Sequence, residues 1–372
     1  MKSRFLSIDW LLIIFILPVL LAGLVTMKSF TEATPFFSRQ LIWIGVSFVA
    51  LLSLSFIDFR FLKRTEILIT IFGIFSFLLI LLFIFGHISN GAQSWFSFGG
   101  FSFQPSDMMK LVVILMLAKY FSRRHVEIDN FKHIFISGLY AFIPFLLVFF
   151  QPDFGSAIVI LFIWVGMTLV SGISRKYFFI LVGLGAVAFI GLWFFVFQPY
   201  QKARIENFIN PMSDIRGTGY NVYQSTIAVG SGQLTGKGVG FGTQSRLKFL
   251  PEYQTDFIFA AFVEEWGFVG AMILFLLFGL ILWRILHIAL LGATNFEILY
   301  GVGLSVYFMS HFIVNIGMNI GIMPVTGITL PFMSYGGSHL LTEFVGLGIL
   351  MGMNRYKRVA HRDDMKNEFL GI

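Results

Sequence analysis

The sequence predicts an all-α polytopic membrane protein of about ten transmembrane helices, with one large extracytoplasmic loop between helices 7 and 8. Composition carries that reading first: of 372 residues, 57% are hydrophobic and 12% charged, where a soluble domain carries about 25% charged residues. Apolar runs long enough to cross a hydrocarbon core of about 30 Å then recur along the chain. Basic residues, finally, segregate between alternate connections. So little charge cannot cover a water-facing surface, which excludes a soluble enzyme. The absence of Cys excludes disulfides, thiolate catalysis and Cys-based metal sites.

The expected spans lie near 10–27, 40–57, 67–86, 107–122, 133–150, 154–172, 177–198, 257–283, 297–317 and 338–354. The first follows Lys2 and Arg4 but lacks a small-residue cleavage site, so it reads as a retained anchor. The fourth carries Asp107 and Lys110, and the tenth carries Glu343. One set of loops and ends, from Lys2 and Arg60 to Arg284 and Lys366, holds 17 of the 26 basic residues. The Lys/Arg bias of short cytoplasmic loops therefore puts both termini in the cytoplasm, with 355–372 as a short tail. The net charge of +7 belongs to this topology, and nucleic acid is not expected as a partner. The chain reads as one membrane domain over 1–372, with the long loop 199–255 outside.

Three outer segments break the apolar background. Segment 87–106 has no formal charge and interleaves Trp95 and several Phe with polar residues, so it either dips into the interface or anchors the helices as an aromatic belt. Pro105 followed by Ser106 and Asp107 reads as a turn into a helix start. Loop 199–255 has eight glycines between Gly217 and Gly242 in a spacing that matches no P-loop, and its aromatics argue against plain disorder. Flexible docking on the membrane surface is the simplest reading of those glycines. Segment 316–338 contains Pro324, Pro331 and the run Ser334 to Ser338; irregular backbone at that depth fits a cavity wall better than a lipid-facing loop.

An ionisable group at bilayer depth costs roughly 2.5–3.5 kcal/mol or more on insertion scales, which makes each one a functional candidate. The candidates are Asp107, Lys110, Asp153, Asp256, Glu264, Glu265 and Glu343. Asp107 and Lys110, three apart, share a helix face and can pair. Asp256 opens the eighth span, either capping it or serving chemistry at the outer interface; Asp153 reads more as a cap. Glu264 and Glu265 read as braces between neighbouring helices, and His339 with Glu343 as a pair across one turn.

Asn315-x5-Gly321-Ile-x-Pro324, Gly327 and Ser334-Tyr-Gly-Gly-Ser338 together resemble the signature of the SEDS (shape, elongation, division, sporulation) family. Gly91-Ala-Gln-x-Trp95, Gln104-Pro-Ser-x-x-x-Lys110, Gln151-Pro-Asp-Phe-Gly155 and Asn210-Pro-x-x-Asp214 are similar to that family in the same order. So are Gly219-Tyr-Asn-x-x-Gln-Ser225, Gly230-Ser-Gly, Gly236-Lys-Gly, Gly242-Thr-Gln-Ser245 and Leu250-Pro-Glu-x-x-Thr-Asp256-Phe. The short termini resemble the family's elongation branch more than its division branch. The resemblance implies a peptidoglycan glycosyltransferase that polymerises lipid II into glycan strands on the outer face of the bacterial inner membrane. It implies a class B penicillin-binding protein and other elongation-complex membrane proteins as partners. The family's essential loop acid falls on Asp256, its fourth-helix lysine on Lys110, and its acid after Pro-Ser on Asp107. Three positions depart: Ser94 stands where the family usually has Arg, Asp107 where it has Glu, and Ile215 where Pro is common.

The chemistry this implies suits the outer interface. An α-linked diphosphate donor giving a β-linked product requires inversion in one displacement, with a base on the acceptor hydroxyl and positive charge on the departing undecaprenyl diphosphate. Asp256 is expected to be the base or to position the acceptor; Lys110 paired with Asp107, and Arg204 or Lys237, are the expected cationic side. Trp95, Gln104, Ser106, Thr243, Gln244, Ser334 and Ser338 are expected to line the groove for lipid II and the nascent strand. A divalent cation, Mg²⁺ or Mn²⁺, would suit the diphosphate, although no ligand set is visible. Two alternatives remain beside the polymerase: a lipid II flippase, which should show polar groups along the whole route, and a non-catalytic scaffold for a penicillin-binding protein. The nearly charge-free cytoplasmic halves of the spans favour the enzyme.

Overall fold

The computed structural model describes residues 8–29, 35–89, 92–98, 101–123, 131–210 and 218–370. Lys2, Arg4, Gly91, Arg124, Asp214 and Ile215 lie outside the described residues. Each of the ten expected spans falls on a helix: α1 (Trp10–Ser29), α2 (Pro35–Ser55), α3 (Thr65–Phe85), α4 (Pro105–Ser122), α5 (Phe131–Phe149), α6 (Phe154–Val170) and α7 (Arg175–Phe195) come first. After them run α8 (Pro199–Ile209), α9 (Thr218–Ser231) and the four-residue α10 (Thr243–Arg246), then α11 (Ile258–Leu290), α12 (Asn295–Asn319) and α13 (Gly337–Leu370). Among the described residues, seven helices are long and apolar enough to cross a membrane; α6 is apolar but shorter, and α4 and α13 carry the ionisable groups. The long loop 199–255 is therefore largely helical. The expected tail from 355 continues α13.

Segment 87–106 folds as a small antiparallel sheet, β1 (His87–Ser89), β2 (Ala92–Phe98) and β3 (Phe101–Phe103), in which His87 faces Trp95 and Phe96 faces Phe103. The two-residue pleat puts Phe96 with Phe103 on one face and Trp95, Ser97 and Ser102 on the other. Gln93 N–H donates to Gln151 O at 3.2 Å, tying the sheet to the turn before α6.

Helix α4 is the axis of the bundle. It buries 14 of its 18 residues, Asp107 and Lys110 among them, and touches α3, α5, α6, α12 and α13. Helix α7 is its opposite and buries none of its residues. Because lipid offers no hydrophobic drive between helices, close packing of small residues holds them. Gly337 and Gly348 accordingly let α13 lie directly on α2, and Gly352 lets it lie on Ile57 and Phe59 just beyond α2. At its far end α11 is tied to the start of the chain by Arg284, whose Nη2 meets Asp9 Oδ2 at 2.7 Å.

The glycine-rich stretch is packed instead of flexibly docked. Helix α11 breaks at Gly267, which has φ 69°, and the break frees backbone groups that the stretch takes up. Phe268 and Val269 donate to Gln233 and Leu234, while Lys237 and Gly238 donate to the carbonyls of Glu264 and Glu265. Gly236 (φ 80°) and Gly267 face each other so closely that a side chain on either would overlap backbone of the other segment. Gly267→Ala should therefore cost about 1–3 kcal/mol from the left-handed backbone alone, with the overlap added. The expected result is a clearly lowered unfolding temperature of the detergent-solubilised protein; an unchanged temperature would mean the two strands of backbone are not so engaged.

Candidate active site

Asp256 lies in an irregular segment, 250–257, that packs against a second one, 320–336, and the backbone of both must be satisfied by protein. Asn315 Nδ2 and Asn319 Nδ2, one turn apart on α12, both donate to Asp256 O at 3.0 Å. Asn315 Nδ2 also donates to Ile328 O at 2.7 Å, and Asn319 Oδ1 accepts the N–H of Ala260 at 3.1 Å. Ser225 Oγ on α9 donates to Asn319 O at 2.8 Å. From the other side Ser334 Oγ donates to Thr255 O at 2.7 Å, and Tyr335 N–H donates to Gln254 O at 2.8 Å. Gln40 on α2 reaches in to donate to Ser334 O at 3.1 Å. The position expected as a possible helix cap is not one: Phe257 is the N-cap of α11, and no side chain bonds there.

The Asp256 carboxylate is turned toward Gly327, with Oδ2 at 3.6 Å from where a side chain at Gly327 would begin. It is enclosed by protein yet keeps part of its surface accessible. Burial, and then the like charge of Glu252, push its carboxyl up to about 7, against the pull of Arg204 on α8. A carboxyl so tuned is charged or neutral at working pH by a small margin, the condition that suits a general base.

The other expected residues fall into separate places. Asp107 and Lys110 form an ion pair at 2.9 Å that is sealed from the surface, and Lys110 Nζ also lies 3.5 Å from His311 Nε2. Expected to meet a diphosphate, Lys110 instead points into the bundle. Gln104 Nε2 and Ser106 Oγ donate to Asp153 Oδ2 at 2.9 and 3.4 Å, Gln104 N–H donates to Ser338 Oγ at 3.1 Å, and Asp153 caps α6 through Ser156 N–H. These four form a seam between the start of α4, α6 and α13. Trp95 stands half-buried on β2.

Lys237, Thr243 and Gln244 converge on Glu264. Lys237 Nζ meets Glu264 Oε1 at 2.8 Å, Thr243 Oγ1 donates to it at 3.2 Å and Gln244 N–H at 3.0 Å. Glu265 Oε1 accepts Gly240 N–H at 2.6 Å. Glu264 thus holds the glycine-rich stretch together with α10, and Glu265, which also bonds Ser29 at the end of α1, ties that stretch and a neighbouring helix to α11. Asn319 was not singled out from the sequence. Its signal was there, as a second amide one turn after Asn315 in an otherwise apolar span.

Residues 3–359 match the model of the FtsW/RodA/SpoVE family, described as cell cycle protein. The chain is similar to stage V sporulation protein E of Bacillus subtilis (strain 168), 37% identical over 370 residues that cover 96% of this chain and 100% of that one. It is similar to peptidoglycan glycosyltransferase MrdB of Escherichia coli (strain K12), 42% identical over 278 residues, or 75% of each chain. Among solved structures it resembles a peptidoglycan synthase complex that coordinates polymerization and crosslinking, with TM-score 0.79 and 30% identity over 94% of this chain and 98% of that one. It also resembles the rod shape determining protein RodA of Thermus thermophilus, with TM-score 0.69 and 28% identity over 93% and 96%.

Asn319→Ala removes one donor to the Asp256 carbonyl and the acceptor of Ala260 N–H. The Asp256 carbonyl keeps Asn315, but the Ala260 N–H left without its acceptor costs about 1–3 kcal/mol. The expected outcome is a lower unfolding temperature and faster amide exchange over 254–262; native exchange rates there would show that Asn315 alone suffices.

Proposed function

Because the chain belongs to the FtsW/RodA/SpoVE family of cell cycle proteins and is a peptidoglycan glycosyltransferase, we propose that it polymerises lipid II during cell elongation. The reaction is the inverting displacement of undecaprenyl diphosphate, carried out at the outer face of the bacterial cytoplasmic membrane, with both termini inside. The likeness to a rod shape determining protein supports the elongation role. The likeness to a polymerising and crosslinking complex supports a class B penicillin-binding protein as partner.

Asp256 carries the reading. Held by its own carbonyl, with a carboxyl near 7, it accepts the proton of the acceptor hydroxyl as the sugar–oxygen bond forms and the bond to diphosphate breaks. Arg204, which already pulls on the Asp256 charge, is the cation best placed for the departing diphosphate. Neither Lys237 nor Lys110 is among the charges that act on the Asp256 carboxyl, whereas Arg204 is. An apolar groove of about 220 Å³ between α5, α6 and α7, walled by Phe142, Phe145, Leu161, Trp164 and Leu184, suits an isoprenoid chain. Among the described residues no cluster of three or more His, Asp or Glu is arranged to hold a metal. Asp256 and Glu252 do offer two carboxylates whose repulsion a divalent cation such as Mg²⁺ or Mn²⁺ would relieve, the other ligands coming from phosphate and water. A bound cation there would neutralise diphosphate charge.

The deciding experiment is polymerisation of purified lipid II by the protein, alone and with a penicillin-binding partner lacking transglycosylase activity. Asp256→Asn should lower strand synthesis by about 10²–10⁴-fold while keeping the fold and partner binding. Undiminished synthesis would remove Asp256 as base; movement of fluorescent lipid II across liposomes without strand formation would favour a transporter. Activity should rise with pH through about 7 as the carboxyl ionises. Glu252→Gln, which removes a like charge, should move that limb to lower pH, and Arg204→Gln should move it higher. Opposite shifts would refute the assignment of the limb to Asp256.

A further inference from the structure

One buried ionic cluster takes no part in the transfer just described. His339 Nδ1 lies 3.5 Å from Asp107 Oδ1, and its Nε2 lies 3.0 Å from Glu343 Oε1. Tyr307 Oη approaches His339 at 3.5 Å, and the His311 ring stands 4.5 Å from the His339 ring. All of these side chains are buried. A carboxylate at that depth is expensive, and bracing two helices would not need one, since an apolar contact serves as well.

Where the cluster ends is informative. Glu343 Oε2 accepts the N–H of Phe332 at 3.1 Å. Phe332 has φ 62°, a backbone region that bulky residues adopt only under constraint, and its ring is buried between Phe308 and Phe344. Two and three residues later come Ser334 and Tyr335, which bond the carbonyls of Thr255 and Gln254 immediately before Asp256. Ser334 Oγ is itself fixed by Leu330 N–H at 2.8 Å, across the same turn. Any relaxation of Phe332 toward an ordinary φ swings these donors away from the turn that carries Asp256.

We propose that His339 and Glu343 are positioning residues for Asp256: the Glu343 carboxylate, held by His339 and through it by the Asp107–Lys110 pair, keeps Phe332 in left-handed backbone and so fixes the bonds of Ser334 and Tyr335 to the residues before Asp256. The catalytic half of this rests on Asp256 being the base. The groups facing Asp256 are Glu252 and Arg204, while those facing His339 are Asp107, Glu343, Tyr307 and His311, with Lys110 behind Asp107 and His311. The cluster therefore acts on the limb near pH 7 through position, not through its own titration.

The test compares Glu343→Gln, Glu343→Met and His339→Asn in the full chain, with lipid II polymerisation and backbone amide exchange as readouts. Glutamine retains an oxygen for Phe332 N–H and should keep most of the activity. Methionine removes the acceptor; a displacement of about 1 Å at the reacting group then lowers kcat by about 10²-fold. KM should stay as it was, the pH limb should move lower as Asp256 gains water, and exchange at Phe332 and Tyr335 should quicken. His339→Asn, which unties the acceptor without deleting it, should fall between, and serves if the methionine variant does not fold. Native kcat and limb in a folded methionine variant overturn the proposal, and so does a glutamine variant as inactive as methionine. A fall in kcat with the limb and exchange unchanged means bracing alone, and also overturns it. Retained synthesis by Asp256→Asn sinks the base reading, whereas native exchange at Phe332 and Tyr335 sinks this one, so the two failures are told apart.

Discussion

Backbone that leaves the helix at membrane depth has no water to bond, and the end of this protein that carries Asp256 is organised around meeting that demand. Residues 250–257 and 320–336 both leave helices there, and each satisfies the other. Asn315 and Asn319 bond the carbonyl of Asp256, and Ser334 and Tyr335 bond the two carbonyls before it. The amides sit on α12, the hydroxyl sits in the turn before α13, and Gln40 closes the ring from α2. The carboxylate is thereby presented from a frame of backbone bonds, which is a stiffer mounting than a rotamer on a free loop.

Two kinds of charge share the interior, and they differ in what surrounds them. Asp107, Lys110, His339 and Glu343 neutralise one another in a closed group. Asp256 has a like charge, Glu252, and an opposite one, Arg204, at a mouth it keeps partly open. The first arrangement stores order and the second keeps a proton exchangeable. Glu264 shows a third use: five groups from the glycine-rich stretch and α10 bond one buried carboxylate, so a segment with little apolar surface of its own is anchored by polar contacts.

Much of this could be read from the residues, for identifiable reasons. The spans were legible because apolar runs of membrane length have few other uses, and α4 and α13 stood out because their charges interrupt such runs. Asp256 was legible from its place, an acid at the junction of polar loop and apolar helix. Helix α9 was not, since the glycines between 217 and 242 mask the pattern and its packing depends on α11, and α8 in turn packs on α9. The break at Gly267 was equally hidden: a glycine in an apolar span has many readings until the stretch that lies against it is known. Asn319 and Glu343 were visible as polar residues, but what they hold is set by turns more than ten residues away in one direction and sixty in the other.

The burial of α4 has a consequence for how the chain is made. A translocating helix is sorted on its own hydrophobicity, and an acid or lysine counts against entry, by about 2.5–3.5 kcal/mol at the centre of a span and less toward its ends. Helix α4 brings both, and can pair them across its own first turn. The histidine that completes the neutral group belongs to α13, more than two hundred residues later. Its place along the axis of the bundle can therefore be completed only after the last helix has been synthesised. Until α13 has been made, α4 is a segment that lipid tolerates poorly, sheltered by α3, α5 and α6.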